Sequence, residues 1–266
     1  MLKKRLIPVL LLQNGMLVRS ELFNIHQIIG NPIYEVKRFN EWTVDELIYL
    51  DISRSDSYDI RREDGKVRGL NDPLVILEKV SRTCFMPLTW GGRIRCVDDM
   101  RRRFSRGADK ITVNTAAVRM PELITEAAKM FGSQAIVVCI DVRRHDDGCI
   151  EAFIEGGRTG TGLDPVELAR RVENMGAGEI LLQSIDRDGT AQGYDLELIH
   201  AVSKATTIPV IALGGVGMYE HYTEGIEAGA SAVAAANIWH FKELSDLGGK
   251  RALSRGGVNI RNGGII

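Results

Sequence analysis

The stretch Ile208-Pro-Val-Ile-Ala-Leu-Gly-Gly-Val-Gly217, followed after a helix-length gap by Ala228-Gly-Ala-Ser-Ala-Val-Ala-Ala-Ala-Asn237, decides the fold class of this chain. An apolar run without polar alternation reads as a strand buried on both faces, the habit of parallel sheets covered by helices. The glycines that end the run let backbone N–H groups approach an anion at the sheet's carboxyl edge. The same pattern occurs earlier as Met86-Pro-Leu-Thr-Trp-Gly-Gly-Arg-Ile94, a polar helix, and then Arg106-Gly-Ala-Asp-Lys-Ile-Thr-Val-Asn-Thr115. Gly91 and Gly92 answer Gly214 and Gly215, Gly107 and Ala108 answer Gly229 and Ala230, and Asn114 falls close to the counterpart of Asn237. A duplicated unit of this kind predicts a single (β/α)8 TIM barrel over residues 1–266, with half-barrels of about 1–132 and 133–266 and a phosphate site in each.

Length and charge agree with one barrel and narrow the partners. The 266 residues suit a barrel of roughly 250. A net charge of −1, from 34 basic against 35 acidic residues, gives no reason to expect nucleic acid or an anionic membrane surface. Cys84, Cys96, Cys139 and Cys149 have no metal-ligand spacing and read as reduced thiols. The basic then apolar amino terminus breaks at Gln13-Asn-Gly without a cleavage site, so it reads as a first strand and the expected location is cytoplasmic.

In chain order, Leu6 to Leu12 is strand one, a long polar-mixed loop runs to about Pro32, and a helix covers Ile33 to Glu41. Glu46 to Ile52 is strand two, with Asp51 at its carboxyl end. Asp72-Pro73, Pro121-Glu122 and Asp164-Pro165 open helices, the carboxylate or proline meeting the unpaired first turn. Gln134 to Asp141 is strand five, Glu179 to Ser184 strand six, and residues 143–162 form a glycine-rich excursion. Gly248-Gly249 interrupts the last helix, which is expected to be short or broken, with a loosely held tail from Asn259.

A barrel enzyme carries its working groups just past each strand, which makes Asp51, Asp141, Asp186, Asp188, Asn114, Thr115 and Asn237 the candidates. Asp141 directly abuts Ala-Ile-Val-Val-Cys-Ile, so desolvation raises its pKa toward acid/base use. The five histidines share no spacing and read as surface or capping residues, and neither a metal nor a cofactor is expected.

The stretches Gly107-Ala-Asp-Lys, Val113-Asn-Thr-Ala-Ala, Phe131-Gly-Ser-Gln-Ala, Gly176-Ala-Gly-Glu-Ile-Leu-Leu and Ser184-Ile-Asp-Arg-Asp-Gly-Thr, with the last Gly-Gly turn, resemble the HisF family over nearly the whole chain. That family is the cyclase subunit of imidazole glycerol phosphate synthase. The resemblance implies ammonia delivered by a HisH-like glutaminase through the barrel's amino-terminal face, and a substrate with two phosphates at the opposite face. It implies phosphate contacts at Asn114 and Thr115 beside Gly92 and Arg93, and at Asp188, Gly189, Gly214, Gly215, Ala236 and Asn237. An ammonia gate of Arg5, Glu46, Lys110 and Glu179 is implied beneath a docking surface that includes Asp109 and Gln134.

Two positions depart from the family. Leu11 stands where it carries a catalytic aspartate, the partner of the one matched by Asp141, and Arg93 stands where the phosphate turn has a third glycine. These departures, with the wording Leu10-Leu-Leu-Gln-Asn-Gly15, resemble HisF-like paralogues of surface-polysaccharide (lipopolysaccharide) pathways that supply ammonia for amidating a sugar. Such a subunit is the leading expectation. A genuine imidazole glycerol phosphate synthase cyclase of histidine biosynthesis and a non-catalytic scaffold activating its glutaminase are the alternatives.

Overall fold

A computed structural model of the chain describes residues 3–42, 44–55, 57–59, 71–242 and 244–261. The first half runs β1 (Arg5–Gln13), β2 (Met16–Glu21), β3 (Ile25–Gly30), α1 (Pro32–Glu41), β4 (Leu47–Asp51), α2 (Pro73–Ser81), β5 (Leu88–Gly91), α3 (Val97–Phe104), β6 (Lys110–Val113), α4 (Thr115–Arg119) and α5 (Glu122–Phe131). The second runs β7 (Ile136–Arg144), β8 (Ile150–Ile154), β9 (Thr159–Gly160), α6 (Pro165–Asn174), β10 (Glu179–Ser184), α7 (Leu196–Ala205), β11 (Val210–Leu213), α8 (Glu220–Glu227), β12 (Ala232–Ala235), α9 (Ile238–Phe241) and α10 (Ser245–Arg255). Eight strands are parallel in the order β10, β11, β12, β1, β4, β5, β6, β7, and β7 pairs back onto β10. The sheet therefore closes, and the fold is the (β/α)8 barrel expected from the glycine units.

Alternation along the strands divides the apolar residues into two cores. Ile7, Val9, Ile48, Val137, Leu181, Ile211, Ala232 and Ala234 fill the barrel interior, while Leu6, Leu10, Tyr49, Trp90 and Ile180 pack outward against the helices. Three helices start on the side chain of the residue before proline. Asn31 accepts from Ile33 N, Asp72 from Leu74 N, and Asp164 from Val166 N and Glu167 N.

Four readings of the sequence change. The region read as a long loop before Pro32 is the β2–β3 hairpin, entered through Asn14 and Gly15, both with positive φ (49° and 79°). An Asn-Gly pair between apolar runs is a strong hairpin signal, masked here because β2 mixes Arg19 and Ser20 among its apolar residues. The glycine-rich excursion at 143–162 is likewise ordered, as antiparallel β8 and β9 growing from the end of β7. Strand five begins at Ile136, because Ser133–Ala135 forms a 3-10 turn.

Helix α10 runs unbroken through Gly248 and Gly249. A Cβ on Gly248 would lie 2.3 Å from the Tyr219 ring, and one on Gly249 would lie 2.9 Å from Leu6 and 3.0 Å from Tyr222. Close helix packing against those groups accounts for both glycines, at a propensity cost of about 1 kcal/mol each. The tail is held as far as it is described: Lys4 N donates to Asn259 O, Lys4 bridges Ile260, and Lys250 Nζ donates to Arg261 O. Residues 262–266 of the tail lie outside the described residues. Among the described residues, no helix is long and apolar enough to cross a membrane.

Candidate active site

A cavity of about 600 Å³ opens at the carboxyl ends of the strands. Its floor holds Leu11 from β1, Thr112 from β6, Cys139 and Asp141 from β7, and Gln183 from β10. Its walls bring Asp51, Gly92, Arg93, Asn114 and Thr115 from the first half, Glu155 and Arg158 from the β8–β9 turn, and Ser20, Phe23 and His26 from the β2–β3 hairpin. The hairpins that follow β1 and β7 meet over this mouth, where Phe23 lies against Gly157.

Asp141 is buried, and burial pushes its carboxyl up to about 7, with the nearby Asp188 adding to the rise. The thiol of Cys139 donates to Asp141 Oδ1 at 3.1 Å, which favours the ionised form without offsetting the desolvation. A carboxyl that titrates near neutrality can both give and take a proton. Leu11, on the opposite side of the interior, is buried among Val18, Ile28 and Leu213 and offers no ionisable group.

The first glycine turn departs from a simple anion cradle. Gly92 has φ +94°, and a Cβ there would lie 2.0 Å from Asp51 O, so only glycine fits. Arg93 also has positive φ (58°), which explains a family preference for glycine and costs on the order of 1 kcal/mol or more for arginine. Neighbours hold the strained turn. Buried Arg103 donates to the carbonyls of Gly92 and Arg93, each at 3.2 Å, and the Arg93 guanidinium lies 5.3 Å over the Tyr58 ring and 3.9 Å from Asp51. Asp51 accepts from Ser53 N and Tyr58 Oη, yet burial holds its pKa above the ordinary value.

Asn114 and Thr115 sit at the start of α4, as a contact to phosphate requires, but their side chains already bind the second hairpin. Asn114 Nδ2 donates to Cys139 O and Phe153 O, and Thr115 Oγ1 accepts from Glu155 N. Around the cavity Arg54, Arg93, Arg95, Arg119 and Arg158 outnumber Asp51, Asp141 and Glu155. Such an excess of guanidinium favours a ligand with more than one negative charge.

The second group lies at the same end of the barrel but behind the β2–β3 hairpin. Asp188 accepts from Ser20 Oγ at 2.6 Å and Phe23 N at 3.2 Å, Asn237 Nδ2 donates to Ser20 O, and Gly193 N donates to Gly215 O. Gly189 packs against Ser20 O, where a Cβ would sit 2.5 Å away. Gly214 and Gly215 are buried, and Ala236 and Asn237 follow β12 directly. The hairpin thus stands between this group and the cavity that contains Gly92, Arg93, Asn114 and Thr115. Asp186 is turned away, accepting from Arg144 N.

At the opposite end the four charges close a ring. Arg5 Nη1 reaches Glu46 at 2.6 Å and Glu179 at 2.8 Å, and Lys110 Nζ reaches the other oxygens of the same two acids at 3.1 and 3.0 Å. Burial lowers the Arg5 pKa, but Glu179 and Glu46 outweigh it and the guanidinium is held above its usual value. Asp109 and Gln134 are exposed at this end, Asp109 also accepting from Leu88 N. Directly above the ring lies the apolar interior, and Asp141 closes the line at the top.

Several contributors were not legible as site residues. Cys139 read as a strand cysteine, and Tyr58, Arg103 and Ser20 carry no motif; each reaches the site from a different element. Three histidines correct the surface reading: His26 lines the cavity, His221 is buried and accepts from Gly217 N, and His240 is partly buried, with a pKa lowered to about 4 by burial and by Arg38.

Comparison with known proteins gives the family. The family model described as "Histidine biosynthesis protein" matches residues 5–245. "Imidazole glycerol phosphate synthase subunit HisF" of Hydrogenobaculum sp. (strain Y04AAS1) is 43% identical over 262 residues, covering 98% of this chain and 100% of that protein.

Proposed function

The chain belongs to the HisF family of histidine biosynthesis proteins, and on that premise we propose that it is the synthase-side subunit of a glutamine amidotransferase pair. In this reading a HisH-type glutaminase docks at the amino-terminal face and releases ammonia at the ring of Arg5, Glu46, Lys110 and Glu179. The ammonia crosses the apolar interior and meets a phosphorylated acceptor at Asp141. The observation that supports it most is the alignment of a closed, charge-neutral ring, an apolar barrel interior and a buried carboxyl titrating near 7. The leading acceptor is the phosphorylated ribonucleotide precursor of imidazole glycerol phosphate, the compound in the printed name of the relative. Anionic ends of that acceptor would be held at Arg93, Asn114 and Thr115 on one side and, where the β2–β3 hairpin gives way, at Gly189, Gly215 and Asn237 on the other.

The chain's own residues define the chemistry. Arginines at the rim attract and orient the charged acceptor, the two hairpins exclude water, and Asp141 transfers a proton as ammonia adds and the ring closes. A second reading rests on Leu11, which cannot transfer a proton: the barrel would then pass ammonia on, or only activate its glutaminase. The comparisons lend support to the histidine reading and none to amidation of a surface-polysaccharide sugar. Glutamine labelled with ¹⁵N in its amide, given with a HisH-type glutaminase and the ribonucleotide, tests the choice. Label in an imidazole product supports the proposal; stimulated glutaminase with all label in free ammonia supports the scaffold.

A further inference from the structure

We propose that His26, carried on the β2–β3 hairpin, is the second proton-transfer group of the site, taking the part that Leu11 cannot. This inference rests on reading the barrel as a ring-closing synthase. Register places the imidazole. Leu11 pairs with Val18 on β2, and Val18 pairs with Ile28 on β3, which puts these three in one row across the sheet. Ser20 pairs with His26 in the row two residues along, and residues two apart in a strand share a face. His26 therefore stands on the same face as Leu11, two strands across the sheet and two residues along it, and both line the cavity that contains Asp141.

The hairpin is fixed rather than free at this point, because Ser20 Oγ donates to buried Asp188 at 2.6 Å and Ser20 O accepts from Asn237. The other acids of the cavity are engaged. Asp51 accepts from Ser53 N and Tyr58 Oη and lies near Arg93, and Glu155 pairs with Arg119 at 2.7 Å. Burial, reinforced by Arg54, holds the His26 pKa below its ordinary value. Arg54 opposes protonation of the imidazole, and the same cavity holds the carboxyls of Asp51 and Asp141, whose own ionisation burial disfavours. At neutral pH the imidazole is a neutral base that shares the cavity with a carboxyl holding a proton for part of the time, the pairing that acid and base catalysis needs.

The step is a proton relay: His26 takes a proton from the nitrogen that adds to the acceptor, and Asp141 gives one to the departing oxygen or nitrogen. The test compares the unaltered chain with His26→Gln and with a Leu11→Asp/His26→Gln double variant, using ammonium salt and the ribonucleotide. His26→Gln is expected to lower kcat by about 10²–10³ with KM within a few fold, and to remove one limb of the kcat–pH profile. The double variant should recover part of the rate, because a carboxylate at position 11 supplies the missing group. A His26→Gln chain with unchanged kcat and pH profile overturns the assignment alone. An unaltered chain with no turnover overturns the ring-closing reading and the assignment with it.

Discussion

Cys139 and Asp141 stand two residues apart on β7, both facing the cavity, with the thiol donating to the carboxylate Oδ1 at 3.1 Å. The bond favours the charged carboxylate, so it works against the burial that drives the Asp141 pKa to about 7. Cys139→Ala should raise that pKa further, by up to about one pH unit, the worth of a hydrogen bond of roughly 1 kcal/mol. Cys139→Ser should leave it nearly where it is. Infrared difference titration of the carboxyl band checks both; an unmoved band in the alanine variant would show that the thiol does not bind the carboxylate in solution.

Asp141 also makes stability depend on pH. Its folded pKa is raised from 3.8 to about 7, so its contribution is complete below about pH 4 and declines as pH rises toward 7. The loss at pH 8 is on the order of 4 kcal/mol. Asp141→Asn removes the titration, and is expected to melt above the unaltered chain at pH 8 and close to it at pH 4. Calorimetry at the two pH values measures the difference, and a variant less stable at pH 8 contradicts the assigned burial.

The ring at the amino-terminal end predicts a specific split between nitrogen sources. Lys110→Met leaves Glu46 and Glu179 sharing Arg5 alone, and breaking a largely buried charge set costs roughly 3–5 kcal/mol. Glutamine-dependent turnover with the glutaminase should fall tenfold or more, while turnover on ammonium salt changes by less than threefold. Equal effects on both sources would remove the gate.

The glycine turns predict two anion positions at the carboxyl end. Crystals soaked in phosphate should show density near Gly92, Asn114 and Thr115, and near Gly189, Gly215 and Asn237. The first is expected to include the Arg93 guanidinium, and Arg93→Gly should shift the ion toward the backbone and weaken ribonucleotide binding. Density at neither turn would end the two-phosphate reading.

Leu11→Asp places a second carboxylate on the barrel side of the cavity that contains Asp141. On the ribonucleotide with ammonium salt the substitution should raise kcat by about tenfold or more. The gain comes with a stability cost of a few kcal/mol, because Leu11 is buried among apolar side chains. A variant that folds, binds the ribonucleotide and shows no gain indicates that position 11 takes no part in proton transfer.

The repeat of apolar strand, Gly-Gly turn and helix was enough to read a closed parallel barrel, because such strands must be covered on both faces and the turns must lie at one edge. Local chemistry likewise placed the Asp72 and Asp164 helix starts and the desolvation of Asp141, since capping and the apolar run before that carboxylate depend on near neighbours in sequence, although β7 runs past Asp141 to Arg144. The ring of Arg5, Glu46, Lys110 and Glu179 was legible only through resemblance; its closure depends on four strands arriving at one level. Only the tertiary structure could decide that β2–β3 is a hairpin fastened to Asp188, that His26 faces the cavity, and that Arg103 reaches back to hold the turn of Gly92 and Arg93. The same holds for Gly248 and Gly249, which look like a break in a lone helix and are packing contacts against Tyr219, Leu6 and Tyr222. Periodicity and capping act over a few residues and are written in the chain, whereas burial, strain relief and proton affinity are set by groups that meet only when distant strands close the barrel.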